Sequence, residues 1–264
     1  MTISGTTRLF GILADPIHHV KTPQAINALM AGQGVDAVMV ALHVGADGLA
    51  ALLEGLRQLR NLDGFVVTVP HKTAMATLCD ELTPAAAQVG AVNVVRRLPD
   101  GRLRGDILDG SGFVAGLRKA GIEPAGQRVY LAGAGGAGAA IAFALADAGV
   151  QQLTIANRSP TRAQELIERL VAAFPATDFA LGTDDPAGHA LVVNATSLGL
   201  RADDPLPLDV TRLTAEQTVA EIIMQPANTA LLLAAQARGC RIHYGAPMLA
   251  SQIALMAAFM QAAP

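Results

Sequence analysis

Tryptophan is absent, aromatic residues make up only 3% of the chain, and Asp, Glu, Lys and Arg together account for just 16% of 264 residues. A nucleic-acid binder needs basic stripes and stacking rings. This chain has no basic block, no acidic tail and a net charge of −3, so nucleic acid is set aside as a partner. No apolar run reaches the ~20 residues of a membrane span. The opening MTISGTTRLFGILADP also lacks an apolar stretch of signal-peptide length. The expectation is a cytoplasmic protein without a membrane partner. Two cysteines, Cys79 and Cys240, stand far apart and form no metal-type spacing. They read as two buried thiols kept reduced. His18 next to His19 is a poor metal site, His71 is equally unremarkable, and no metal is predicted.

What is abundant is apolar and small. The chain is 52% hydrophobic with 26 glycines, which suits helices packed closely on a sheet and allows one large or two modest domains. Strand-like and helix-like stretches alternate, which predicts an α/β fold. Strands are expected at Leu9–Leu13, Val38–Leu42 and Phe65–Val69, and a hairpin at Val92–Arg96 and Arg102–Gly105 around Pro99-Asp100-Gly101. Thr22 before Pro23 reads as a helix N-cap, and Asp47 as another. A helix is expected from Asp109 through Leu117, then strands at Arg128–Ala132, Leu153–Ala156, Leu191–Asn194 and Thr218–Ile223, with a last helix from Pro247.

After the strand Arg128–Ala132 comes Gly133-Ala134-Gly135-Gly136-Ala137-Gly138, running into an Ala-rich helix. This is G-x-G-x-x-G in its strand–turn–helix setting. Gly133 permits the tight turn, Gly135 and Gly136 let a pyrophosphate approach the backbone, and Gly138 allows close helix–strand packing. A plain tight turn is the alternative, but the flanking pattern favours a dinucleotide. At the end of the next strand stand Asn157, Arg158 and Ser159, with no Asp or Glu for a ribose 2′-hydroxyl. Arg158, with Ser159 and Arg162 beside it, suits a 2′-phosphate, so NADP is favoured. Asn157 could serve the ribose of NAD, and Arg158 could instead be a solvated side chain.

Six motifs in order carry a resemblance. They are Ala14 through Pro23, Val67-Thr68-Val69-Pro70-His71-Lys72, Gly90-Ala91-Val92-Asn93, Gly105 through Gly110, Asn194-Ala195-Thr196-Ser197-Leu198-Gly199, and Gly245-Ala246-Pro247-Met248-Leu249 leading to Gln252. Together they resemble the shikimate dehydrogenase family over nearly the whole chain. The resemblance implies an N-terminal α/β substrate domain over 1–108, with 245–264 returning to it, and a Rossmann-type NAD(P) domain over 109–244. It implies hydride transfer on a shikimate-like cyclic hydroxyacid, within aromatic amino acid biosynthesis. Lys72 and Asp109 match the catalytic pair. Thr22, Val20, Thr68, Asn93 and Gln252 match substrate-binding positions, and Asn194, Thr196, Ser197 and Gly245 match positions near the cofactor.

Several positions depart from the family pattern by losing a polar group. The two usual loop serines are Val20 and Thr22, and Val66, Val94, Ile107 and Leu108 replace amides or hydroxyls. Met224 stands where a tyrosine is usual. Sites built around hydroxyl or carboxylate partners discriminate strongly through them, so these changes predict altered substrate recognition around an intact Lys–Asp pair. A non-catalytic dinucleotide sensor is the alternative, but a sensor has no need of that pair. A folate-type dehydrogenase is disfavoured by the motif order. Monomer and homodimer remain equally open.

Overall fold

The computed structural model describes residues 2–18 and 20–261; His19 lies outside them. The chain divides into two compact units, 1–108 with 252–264, and 109–251. In the first unit, β1 (Arg8–Ala14), α1 (Thr22–Gly32), β2 (Ala37–His43), α2 (Leu49–Gln58), β3 (Leu62–Val67) and α3 (Lys72–Leu78) come first. They are followed by β4 (Glu81–Leu82), α4 (Pro84–Val89), β5 (Val94–Arg97) and β6 (Leu103–Asp106). The sheet order is β2-β1-β3-β5-β6-β4. β1 runs parallel to β2 and β3, and β5 and β6 form the antiparallel hairpin.

β1 and β3 are apolar because the sheet is covered. Phe10, Ile12, Leu13, Phe65 and Val67 are buried, and so are Ile26 and Met30 of α1 and Leu53 and Leu56 of α2. Each fully buried side chain of this size is worth about 1.5–3 kcal/mol against exposure. The C-terminal residues close this core at a glycine. A Cβ on Gly64 would lie 2.9 Å from Met260 Cγ and 2.3 Å from the Val95 carbonyl, so β3 leaves the last helix room only because it carries no side chain there.

The second unit holds α5 (Asp109–Lys119), β7 (Arg128–Ala132), α6 (Gly136–Asp147), β8 (Gln152–Ala156), α7 (Pro160–Ala173) and β9 (Asp178–Leu181). Then come β10 (Leu191–Asn194), β11 (Thr218–Glu221), α8 (Ala230–Ala237), β12 (Arg241–His243) and the first turns of α9 (Ala246–Gln261). Its six strands are all parallel, in the order β12-β11-β10-β7-β8-β9. This is a doubly wound α/β sheet, whose order reverses at β7. The division between units falls within α9, at residues 251 and 252.

Three local expectations need correction. Thr22 is the first residue of α1, not its cap; Lys21 occupies that position and makes no side-chain capping bond. Asp47 lies inside a 3-10 turn, Ala46–Gly48, that precedes α2, so it does not cap that helix either. Val69 lies beyond β3 and is 62% exposed, because the strand stops before the Thr68–Pro70 turn. β9, β12 and the short helices α3, α4 and α8 carry too little periodicity to be read from sequence.

Candidate active site

In the first unit the relevant side chains gather at the carboxyl ends of β1 and β3. Main-chain bonds fold the segment after β3 back on itself. Thr68 N donates to Leu13 O at 3.1 Å, and His71 N to Thr68 O at 2.9 Å. His71 is buried, and its Nε2 lies 2.8 Å from Val44 O, so it braces the turn. Lys72 follows as the first residue of α3, half-buried, and its carbonyl accepts from Val92 N at 2.9 Å. Asn93 is buried, and its Oδ1 accepts from Leu108 N at 2.9 Å, so its side chain holds the segment just before Asp109. Val20 and Thr22 are half-buried at the start of α1, and Gln252 is buried in α9.

In the second unit Asp109 opens α5 and is buried. Behind it, Gly110 touches the next helix. A Cβ there would sit 2.1 Å from Ala140 O. The glycine turn after β7 has three distinct kinds of position. Gly133 adopts φ 111, which only glycine holds comfortably. Gly138 presses on it, since an added Cβ would lie 2.2 Å from Gly133 O. Around Gly135 and Gly136 there is open space, at the N-terminus of α6. That is a cradle that a phosphate group can enter, facing backbone N–H groups.

Asn157 clamps this turn. Its Oδ1 accepts from Ala134 N at 3.1 Å and its Nδ2 donates to Ser159 O at 3.0 Å. Both ends of the side-chain amide thus bond within the protein. Arg158 and Arg162 are exposed, and neither has a hydrogen bond or ion pair within the described residues. Ser159 caps α7 without a side-chain bond.

Asn194 is also engaged internally. Its Oδ1 accepts from Thr196 N at 3.0 Å and Thr196 Oγ1 at 2.7 Å, and its Nδ2 donates to Leu198 O at 3.0 Å. Thr196 Oγ1 in turn accepts from Leu198 N, while Ser197 is exposed. Gly245 is buried where a Cβ would lie 2.6 Å from Ile223 O, so its role is close backbone approach.

Glu221 was not singled out from sequence. It is fully buried at the end of β11, opposite Asn194. Its carboxylate accepts from Asn194 Nδ2, from Ile222 N and Ile223 N, and from Thr229 Oγ1. The available signal was a lone acid inside the buried run Thr218–Ile223. Burial pushes the carboxyl above its ordinary value, while Asn194 and the neighbouring N–H groups pull the other way. With a raised folded value, the unfolded chain loses this proton first. Stability therefore falls as pH rises from the ordinary carboxylate range to the folded value. Glu221→Gln should remove that part of the pH slope. It should also cost about 1–3 kcal/mol in urea unfolding, because at least one buried donor loses its acceptor.

Both thiols are free. Burial pushes Cys79 up to about 12, with Asp80 adding to it, and burial raises Cys240 as well. Among the described residues no His, Cys, Asp and Glu group could hold a metal, and no helix is long and apolar enough to cross a membrane.

Known proteins match this arrangement. Residues 12–95 match the shikimate dehydrogenase substrate binding domain, and residues 117–181 match shikimate / quinate 5-dehydrogenase. Shikimate dehydrogenase (NADP(+)) of Rubrobacter xylanophilus is 44% identical over 258 residues, covering 95% of this chain and 89% of that one. A crystal structure of shikimate 5-dehydrogenase from Listeria monocytogenes, in complex with shikimate and NAD, superposes with a TM-score of 0.92 at 32% identity. It covers 98% of this chain and 93% of its own. A ligand-free 5-ketofructose reductase of Gluconobacter sp. strain CHM43 superposes with a TM-score of 0.89 at 32% identity, over 98% and 94% of the two chains. With sequence, turn geometry and fold all in agreement over nearly its full length, the chain belongs to the shikimate dehydrogenase family.

Proposed function

We propose that this protein is an NADP-dependent oxidoreductase that interconverts a secondary alcohol and a ketone on a shikimate-like cyclic hydroxyacid. The observation that carries the reading is the glycine cradle at α6 together with two guanidinium groups, Arg158 and Arg162, that no carboxylate of the described residues neutralises. The nicotinamide supplies a hydride acceptor or donor when bound. Gly133, Gly135, Gly136 and Gly138 would hold its pyrophosphate, and Arg158 a 2′-phosphate through a charge-assisted fork. Lys72 Nζ takes the hydroxyl proton as the alcohol is oxidised and returns it in the other direction. Asp109 orients that ammonium. Thr68, Asn93, Thr22 and Gln252 surround the substrate. Thr196, Ser197 and Gly245 shape the cofactor side, with Asn194 and Asn157 acting through the loops they hold. We place the enzyme in the cytoplasm, where two free thiols stay reduced.

Arg158→Ala tests the cofactor. Its dissociation constant for NADP should rise by about tenfold or more, the value of one charge-assisted hydrogen bond, while that for NAD stays nearly unchanged. Equal changes for both dinucleotides would mean that Arg158 only packs on the adenosine. A wild type preferring NAD would reject the NADP reading.

A second substrate reading has a specific basis. Val20 replaces a hydroxyl, and Met224 is 45% exposed beyond β11 where the family has a tyrosine. A substrate carboxylate lacking those partners keeps a desolvation penalty of about 1–3 kcal/mol for each. A neutral polyhydroxy ketone incurs none, and one superposable structure is a 5-ketofructose reductase. Steady-state kinetics with shikimate and with 5-ketofructose separate the two readings. Val20→Ser with Met224→Tyr should raise kcat/KM for shikimate by about tenfold or more, mainly through KM. A folded double variant without that gain would show that the carboxylate is held elsewhere.

A further inference from the structure

The first unit has a polar hollow away from the six sequence motifs above. It measures about 920 Å³, within the range of small-molecule sites. It is walled by Arg8, Arg57, Arg60, Arg96, Arg97 and Arg102, with Asp63 and Asp100 as the only carboxylates in the described lining. Arg8 and Asp63 begin the hollow at the amino ends of β1 and β3, and Arg97 closes β5 beside them. Lys72 and Asn93 lie past the other ends of β3 and β5. The six residues of β3 put about 20 Å between the two regions.

The arginines are held in place by different means. Arg8 forks onto Asp63, and its Nη1 also donates to Arg60 O at 3.2 Å. Arg57 pairs with Asp80 and Glu54. Arg102 pairs with Asp100 and Glu81, each at 2.7 Å. Arg96 stacks over the Phe259 ring at 5.7 Å. Among the described residues Arg97 bonds only to main chain, Nε to Arg57 O at 2.8 Å and Nη1 to Leu98 O at 3.2 Å. Carbonyl oxygens orient a guanidinium without cancelling its charge. Arg60 is exposed and makes no side-chain hydrogen bond or ion pair within the described residues. Every carboxylate named here serves Arg8, Arg57 or Arg102, and none serves Arg60 or Arg97.

We propose that this hollow is a binding site for a small oligophosphate, gripped by Arg97 and Arg60 and framed by the paired arginines. The chemistry follows from the donors. Guanidinium forks match phosphate oxygens two at a time, and a pre-oriented fork loses little freedom on binding. Successive phosphates need several forks around one concavity, which a single surface arginine does not provide. The site is separate from the dinucleotide cradle, which lies in the other unit.

The test is calorimetric titration of inorganic tripolyphosphate into the full chain at low ionic strength, with NADP at saturation to block the glycine turn. One tripolyphosphate should bind per chain and weaken as salt is added. Arg60→Glu should weaken it by about tenfold or more, and Arg97→Lys should weaken it through loss of the fork. Arg158→Ala should leave it intact. Both hollow variants should keep wild-type turnover, since neither residue belongs to the reacting site. ATP in place of tripolyphosphate identifies the source: equal affinity assigns the phosphate chain alone, tighter binding a nucleotide, and either outcome supports the site. No binding by the wild type, unchanged binding by Arg60→Glu, or loss only in Arg158→Ala would overturn the proposal. Arg60→Glu carries little risk to folding, because the side chain it replaces is exposed and makes no bond within the described residues.

Discussion

Lys72→Ala should lower kcat by about 10²–10⁴-fold, the usual contribution of a positioned general acid–base group, with NADP affinity close to that of the wild type. The side chain stands at the first position of α3, after a turn fixed by Thr68, Leu13 and the buried His71. Removing its ammonium leaves that main-chain frame in place, so a folding defect is not expected. The loss should fall on kcat and kcat/KM alike if the proton is moved only in the transition state. Single-turnover measurement at saturating NADP separates chemistry from product release. A variant with near-wild-type turnover on its best substrate would dismiss Lys72 as the base and leave the dinucleotide reading untouched.

Gly138→Ala should all but abolish dinucleotide binding and destabilise the second unit. The added Cβ would lie 2.2 Å from Gly133 O and 2.8 Å from Gly133 C, both main-chain atoms that no rotamer can move aside. Either the turn opens or α6 shifts. Overpacking of this kind costs about 1–3 kcal/mol and sometimes more. Gly136→Ala is the informative partner. Nothing lies within 4 Å of its added Cβ, and residue 136 is already helical. That variant should unfold at the wild-type temperature yet bind NADP poorly, because the methyl occupies space left for the pyrophosphate. Thermal unfolding with fluorescence titration of NADPH checks both. Similar Tm losses in the two variants would mean that Gly136 is a packing residue and the cradle reading is wrong.

Much of this protein is local. The four inner parallel strands of the second unit, β7, β8, β10 and β11, announce themselves because both faces are covered, so their apolar runs are nearly continuous. The glycine turn is readable because each of its glycines answers a separate backbone need. Lys72, Asp109 and the remaining motifs were legible as residue types in a fixed order, enough for a family and a chemistry. Caps were read less well: Thr22 and Asp47 have the right side chains one position or one turn away from where the helix begins, and capping depends on backbone angles that composition does not report.

Only the tertiary structure decided what each polar side chain is used for. Asn93, Asn157 and Asn194 look like ligands in the chain, and the fold shows that their amide oxygens also hold the main chain at Leu108, Ala134 and Thr196, since polar groups that folding withdraws from water keep hydrogen-bond partners. Glu221 becomes a hub for the same reason, through a neighbour 27 residues away in sequence. The arginine hollow draws its walls from β1, the end of α2, the hairpin and the last helix, segments spread across the first unit. Sequence alone determined most of the elements and the dinucleotide turn, since these rest on short-range spacing, while Lys72 and Asp109 were singled out by the motifs around them. Which side chains face a ligand and which are occupied by the fold depended on long-range packing, where the cost of an unmet buried donor outweighs any local preference.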